Sequence, residues 1–81
     1  MMAKFTIILE FAGGTYIRQI RATSPQNALR KIAAGNHGKA DLFRVLSDDK
    51  PVTIESVDNC WCCSTMYRDK LALVNIVKTA E

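Results

Sequence analysis

Apolar and polar residues alternate along residues 4–11, which is the pattern of a half-buried β-strand. Gly13-Gly14 follows, and a glycine pair can adopt the positive φ angles of a tight hairpin turn. Residues 15–22 are rich in β-favouring side chains and are predicted as the return strand. The first quarter of the chain therefore predicts a β-hairpin.

A loop made of the two glycines fixes the register of this hairpin. Its pairs are Phe11 opposite Tyr16, Leu9 opposite Arg18, and Ile7 opposite Ile20. This register places Arg18 on the apolar face. A slip by one residue would move Arg18 to the other face and would expose Tyr16 and Ile20.

A helix is predicted from Ser24 to Ala34. Ser24 can accept a hydrogen bond from a backbone N–H of the first turn, and Pro25 suits the first helical position because it has no N–H to leave unpaired. Gly35 is the expected stop. The apolar stripe of this helix is Ala28, Leu29, Ile32 and Ala33.

The second half of the chain predicts further strands. Residues 39–47 suit either a short amphipathic helix or a strand, and we favour the helix. Residues 52–57 and 60–65 are predicted to be extended, with a bend at Asp58-Asn59. A second hairpin turn is expected at residues 67–70, before a last strand over residues 71–78.

Together these elements predict a single α+β domain over residues 1–81. The element order is β-β-α-(α)-β-β-β, with a mostly antiparallel sheet of about four to five strands. The helix from Ser24 to Ala34, with or without the second one, packs on one face. A chain of 81 residues has room for one modest core.

The predicted strands carry more apolar surface than one helix can cover. The last strand is apolar on both faces, and Ile8 and Ile17 lie opposite the apolar face of the first hairpin. Either residues 36–50 wrap around to the second face, or that face, or the edge of the last strand, binds another copy of the chain. The residues predicted for such an interface are Trp61, Leu71, Leu73, Val74 and Ile76.

The charge distribution suggests a second class of partner. Residues 1–40 carry a net charge of +5 and residues 41–81 a net charge of −2. A nucleic-acid-binding module would use Arg18, Arg21, Arg30 and Lys31, the last two on the exposed side of the helix. Strand alternation places Arg18 and Arg21 on opposite faces, which argues against one continuous basic surface.

Cys60-Trp61-Cys62-Cys63 is the most conspicuous local motif. Two thiols at a C-x-C spacing lie on one face of a strand, and thiolates bind Zn²⁺ or Cu(I). A closed structural zinc site needs four ligands, however, and cysteine is also a common small apolar residue in strands. A metal site is therefore the third hypothesis, behind protein binding and nucleic-acid binding.

Enzyme chemistry has little support in the sequence. His37 is the single histidine, and no third residue is identifiable that would orient it as the base for a cysteine nucleophile. Asp48-Asp49 belongs to a predicted turn. We expect no catalytic residues, no cofactor and no resident metal.

The order strand, glycine turn, strand and Ser-Pro-capped helix resembles the opening of many small α+β modules, HicB-like antitoxin domains among them. The likeness depends on Thr23-Ser24-Pro25 followed by Ala28-Leu29 and covers fewer than half of the residues. Helix capping and packing alone explain the same positions, so the likeness does not assign the chain to that family.

We therefore expect a small non-enzymatic module that acts through protein contacts, with self-association as a homodimer as the simplest form. No secretory signal is recognisable at the start, and no segment reaches the roughly 20 apolar residues of a membrane-spanning helix. With reduced cysteines, this predicts a cytoplasmic protein without a membrane partner.

Overall fold

A computed structural model describes residues 2–35, 42, 44, 46, 51–54 and 56–81. It confirms the predicted α+β class: the described strands form one antiparallel sheet of five, and a helix packs on one side of it. In chain order the elements are β1 (Ala3–Phe11), β2 (Gly14–Ala22), α1 (Pro25–Ala33), β3 (Val52–Thr53), β4 (Cys60–Tyr67) and β5 (Lys70–Ala80).

The first hairpin forms as predicted, but its turn lies one residue earlier. Ala12 and Gly13 are the two turn residues, with φ angles of 52° and 81°, and Phe11 pairs with Gly14. The predicted register is therefore wrong by two residues: Leu9 lies opposite Tyr16, not opposite Arg18. Because the shift is even, each side chain stays on its predicted face.

The close approach of Tyr16 accounts for the position of Gly14 in the strand. A Cβ atom at Gly14 would lie 2.7 Å from the Tyr16 hydroxyl oxygen and 3.0 Å from Cζ. The absence of a side chain at Gly14 therefore makes room for the Tyr16 ring, and Gly13 alone supplies a glycine to the turn.

Helix α1 matches the predicted segment from Ser24 to Ala34, with these two residues as its caps. The Ser24 hydroxyl accepts a hydrogen bond from the Asn27 N–H at 3.0 Å, and Pro25 begins the helix. The predicted apolar stripe is buried; it consists of Ala28, Leu29, Ile32 and Ala33. These contacts dock a helix of nine residues that would be marginal in isolation.

Part of the segment between α1 and β3 is also described. Leu42, Arg44 and Leu46 are helical, in agreement with the prediction for residues 39–47, whose other members lie outside the described residues. Leu42 and Leu46 are buried in the same hydrophobic cluster as Leu29 of α1. These two leucines thus add to the hydrophobic core.

The second half of the chain supplies the rest of the sheet. Its strand order is β2-β1-β5-β4-β3, so β5 lies between β1 and β4 and pairs with both. The predicted strand over residues 52–57 is shortened to Val52–Thr53, because the chain turns at residues 56–59 and both Ser56 and Asn59 have positive φ angles. Arg68 and Asp69 form the predicted second hairpin turn.

The core lies on the side of the sheet that α1 covers, which we call the front face. Ile7, Leu9, Val74 and Ile76 are fully buried there. The smallest dimension of the molecule is 20 Å, which fits one sheet and one helical layer at the usual spacing of about 10 Å between layers. The described residues therefore form two layers, and among them nothing covers the opposite side of the sheet.

Candidate protein-binding surface

The side of the sheet opposite α1, which we call the back face, collects the alternate residues of each strand. Strand pairing places Ile8 beside Ile17 on one side and beside Asn75 on the other. The same row continues through Cys62 to Val52. The other members of the back face are Lys4, Thr6, Glu10, Thr15, Gln19, Arg21, Cys60, Ser64, Met66, Leu71, Leu73 and Val77.

Several apolar side chains of the back face are open to solvent. The exposed fractions are 56% for Ile17, 59% for Val52, 61% for Met66 and 60% for Leu71. Ile8 on the neighbouring strand is half-buried, as are Leu73 and Val77. No described element lies over these residues, so the back face is a mixed surface whose exposed apolar residues extend from the row of Ile8 to the last row, Met66 and Leu71.

The charged residues of the back face lie at its two ends. Glu10 is at the end nearest the first hairpin turn, where its cross-strand neighbours are Thr15 and Leu73. Lys4 and Arg21 are at the other end, directly opposite each other on β1 and β2. Two like charges in such a pair destabilise a sheet slightly. The back face thus has an acidic end and a basic end.

A hydrogen-bonded row of polar side chains crosses the sheet next to the basic end. The Gln19 amide donates to the Thr6 hydroxyl at 3.0 Å, and the Thr6 hydroxyl donates to that of Thr79 at 3.2 Å. Thr79 in turn donates to the Lys4 carbonyl at 3.2 Å. This row leaves the apolar part of the back face displaced towards Glu10.

A shallow cavity of about 370 Å³ lies at the acidic end. Glu10, Leu71 and Leu73 form its back-face side, and residues 11–15 of the first hairpin form the rest. The cavity is open, with a single carboxylate on its wall. Its lining combines apolar side chains with one carboxylate.

The free edges of the sheet are poor docking sites. β2 is one edge strand, and two of its carbonyl groups are already occupied by cationic side chains: Arg18 Nη1 donates to the Ile17 oxygen at 3.0 Å, and Lys31 Nζ donates to the Arg21 oxygen at 2.9 Å. The other edge strand, β3, has only two residues. Side chains that occupy edge carbonyls hinder the addition of another strand.

The predicted interface residues separate into two groups. Leu71 and Leu73 lie on the back face, whereas Val74 and Ile76 are fully buried on the front face and have no surface for a partner. Trp61 is half-buried on the front side, where its ring meets that of Phe5 edge-on at 5.9 Å. The prediction that the last strand offers a free edge to another copy is also wrong, because β5 is paired on both sides.

The sequence missed Met66 and Val52 as members of this surface. Their exposure follows from the order of the strands, which places β4 and β3 beyond β5. Alternation along residues 60–67 contained the signal for Met66, since it shares a face with Cys60 and Cys62. Val52 belongs to the predicted strand over residues 52–57. The side of the sheet that it faces depends on the pairing of this strand with β4.

The basic residues do not come together on one surface. Arg18 has the same parity as the front-face residues of the sheet and Arg21 belongs to the back face, as strand alternation predicts. Arg30 is exposed on α1, while the Lys31 ammonium is engaged by the Arg21 carbonyl. A nucleic-acid surface built from these four residues would be divided between the two sides of the domain.

The three cysteines are likewise divided between the two faces. Cys63 is buried on the front face, while Cys60 and Cys62 are half-buried on the back face, and none of the three forms a disulfide. Among the described residues, no group of three or more potential metal ligands forms. His37, the proposed base for a cysteine nucleophile, lies outside the described residues.

Comparison with known proteins finds no match for this chain among protein-family models, curated proteins or solved structures. Within the part of the chain that the structure describes, no helix combines the length and the hydropathy needed to cross a membrane.

Proposed function

We propose that this chain is a small non-enzymatic protein-binding module, and that its back face binds a second copy of itself. The observation that carries the proposal is the exposure of apolar side chains on the back face. Ile17, Met66 and Leu71 are each more than half exposed, although the domain has a buried front face for its apolar residues. Apolar surface of this kind is typical of association sites.

The size of the back face is sufficient for a weak dimer. Four long strands span about 19 Å, and eight residues along a strand span about 27 Å, so the face covers roughly 500 Å² in projection. Two copies then bury about 1,000 Å² together, which is near the lower limit for a specific protein interface. We therefore expect a dimer that forms and dissociates with protein concentration.

The state of the cysteines belongs to the same proposal. Cys60 and Cys62 form no disulfide and lie half-buried on the surface that we propose to be covered. Unpaired cysteines are typical of a reducing compartment, and the proposed site of action is the cytoplasm.

Analytical ultracentrifugation over a range of concentrations tests the proposal. We expect the wild-type chain to shift from monomer to dimer as its concentration rises. Ile17→Lys and Leu71→Lys should each abolish the shift, because each places a charge among the apolar residues of the interface. Val57→Lys is the matched control, since Val57 is 47% exposed and lies outside the sheet.

A wild-type chain that remains monomeric at high concentration would refute self-association. Equal weakening by the Val57 control would show that the effect comes from net charge and not from the back face. Far-UV circular dichroism of each variant confirms that the fold is intact, because all three positions are exposed.

A further inference from the structure

We infer that two copies pack back face to back face with their strands running in opposite directions, about a two-fold axis that crosses β1 near Ile7 and Ile8. This inference rests on the proposed self-association and adds the orientation of the partner. Its basis is the distribution of charge along the back face.

The two ends of the back face are electrostatically complementary to each other. Glu10 has no charged cross-strand neighbour, and the pair Lys4 and Arg21 brings two positive charges together with no carboxylate directly opposite on the neighbouring strands. Arg21 Nη1 donates to the main-chain oxygen of Glu81 at 3.4 Å, while the Glu81 carboxylate pairs with Lys78 at 2.6 Å. A carboxylate from outside the chain would therefore relieve the repulsion at the basic end.

A second copy supplies that carboxylate only in one of the two simple orientations. Face-to-face dimers have a two-fold axis in the plane of the interface, and each contact then occurs twice. An axis across the strands reverses their direction, so that Glu10 of each copy approaches Lys4 and Arg21 of the other. An axis along the strands places basic end on basic end.

The apolar residues nearest this axis are compatible with it, whereas Met66 and Leu71 lie beyond Glu10 and reach the basic end of the other copy. The axis crosses β1 beside Ile8, and Ile17 lies opposite Ile8 on β2. Both side chains of one copy therefore lie over the same strands, β1 and β2, of the other copy. The aligned packing of two sheets tolerates the crossing angle of about 30° that sheet twist imposes. The dimer would then be a four-layer sandwich with a helix layer on each outer side.

Charge reversal tests this orientation. Glu10→Lys and Lys4→Glu should each weaken self-association roughly tenfold, because every dimer contains the affected contact twice and each reversal turns attraction into repulsion. A mixture of the two variants should recover wild-type affinity as a mixed dimer, since lysine at position 10 of one chain then meets glutamate at position 4 of the other. A chain with both changes should also associate with itself. Isotope labelling of one variant separates the masses of the two chains, so that native mass spectrometry identifies the mixed dimer.

A second variant at the basic end guards against a local effect of the first. Arg21→Glu should replace Lys4→Glu in the mixing experiment and give the same recovery, because both cations face the same carboxylate. If neither mixture associates more tightly than its components, while the wild-type dimer still depends on Ile17, the orientation is refuted and the proposed function stands. If the wild-type chain is monomeric, both fail together.

Discussion

The first hairpin turn offers a sharp test of the structure, because Ala12 has an unfavourable backbone conformation there. Its φ angle of 52° is left-handed, and an L-residue with a Cβ atom pays about 1 kcal/mol or more for that region. Asparagine tolerates it far better, and Asn-Gly is a preferred pair for a two-residue hairpin turn. Valine, which is β-branched, is disfavoured there.

Two substitutions at this exposed position should therefore act in opposite directions. Ala12→Asn should stabilise the domain by about 0.5–1 kcal/mol, and Ala12→Val should destabilise it by about 1 kcal/mol. For a domain of this size, 1 kcal/mol corresponds to a change in Tm of about 4–8 °C. Thermal unfolding followed by circular dichroism at low protein concentration separates the two variants without a contribution from association.

The contrary result has a definite structural meaning. If the turn were Gly13-Gly14, Ala12 would lie in a strand, where valine is favoured over asparagine, and the order of the two Tm values would invert. The same substitutions at Ala34 provide the control. Ala34 is also exposed but has a φ angle of −77°, so we expect changes within about 0.5 kcal/mol.

Two further changes test how α1 is held on the sheet. Ser24→Ala removes the acceptor of the Asn27 N–H and should cost about 1 kcal/mol in urea unfolding, whereas Ser24→Asp retains an acceptor and should cost little. Leu29→Ala deletes a fully buried side chain and should cost about 2–5 kcal/mol, a large part of the stability of a domain this small; a loss below 1 kcal/mol would contradict its place in the core.

Local patterns in the sequence were sufficient to predict the elements near the start of the chain. Alternation from Phe5 to Phe11 located β1, and Ser24-Pro25 located the beginning of α1. In both cases the signal and the structure lie within a few residues of each other. Capping and alternation involve residues that are close in the sequence, so these signals can be recognised without knowledge of the contacts between distant residues.

The turn and the strand order depend on contacts between distant residues. Gly13 and Gly14 can both occupy a turn, and the choice between them involves the Tyr16 ring, which approaches the Gly14 backbone. The apolar residues on both faces of β5 suggested an exposed last strand. They are explained instead by its central position, where Val74 and Ile76 face the core and Leu73 faces the back.

The sequence was sufficient to predict that one face of the sheet is uncovered, but not which residues lie on that face. The excess of apolar residues indicated an uncovered face, and Leu71 and Leu73 do lie on it. Val74 and Ile76 differ from them only in parity along the same strand, and the parity that faces α1 is fixed by pairing with β1. Sequence alone gave no means to choose between the two sets.

The occupied carbonyl groups of β2 have a consequence for how far assembly can proceed. With Arg18 and Lys31 in place, strands do not readily stack edge to edge into a ribbon that grows without limit. In a dimer with two-fold symmetry, each molecule uses the same surface to bind the other, so that this surface is buried in both molecules. As the protein concentration rises, we therefore expect the proposed dimers to form and no larger assemblies to follow. An unprotected strand edge would instead allow fibres to grow.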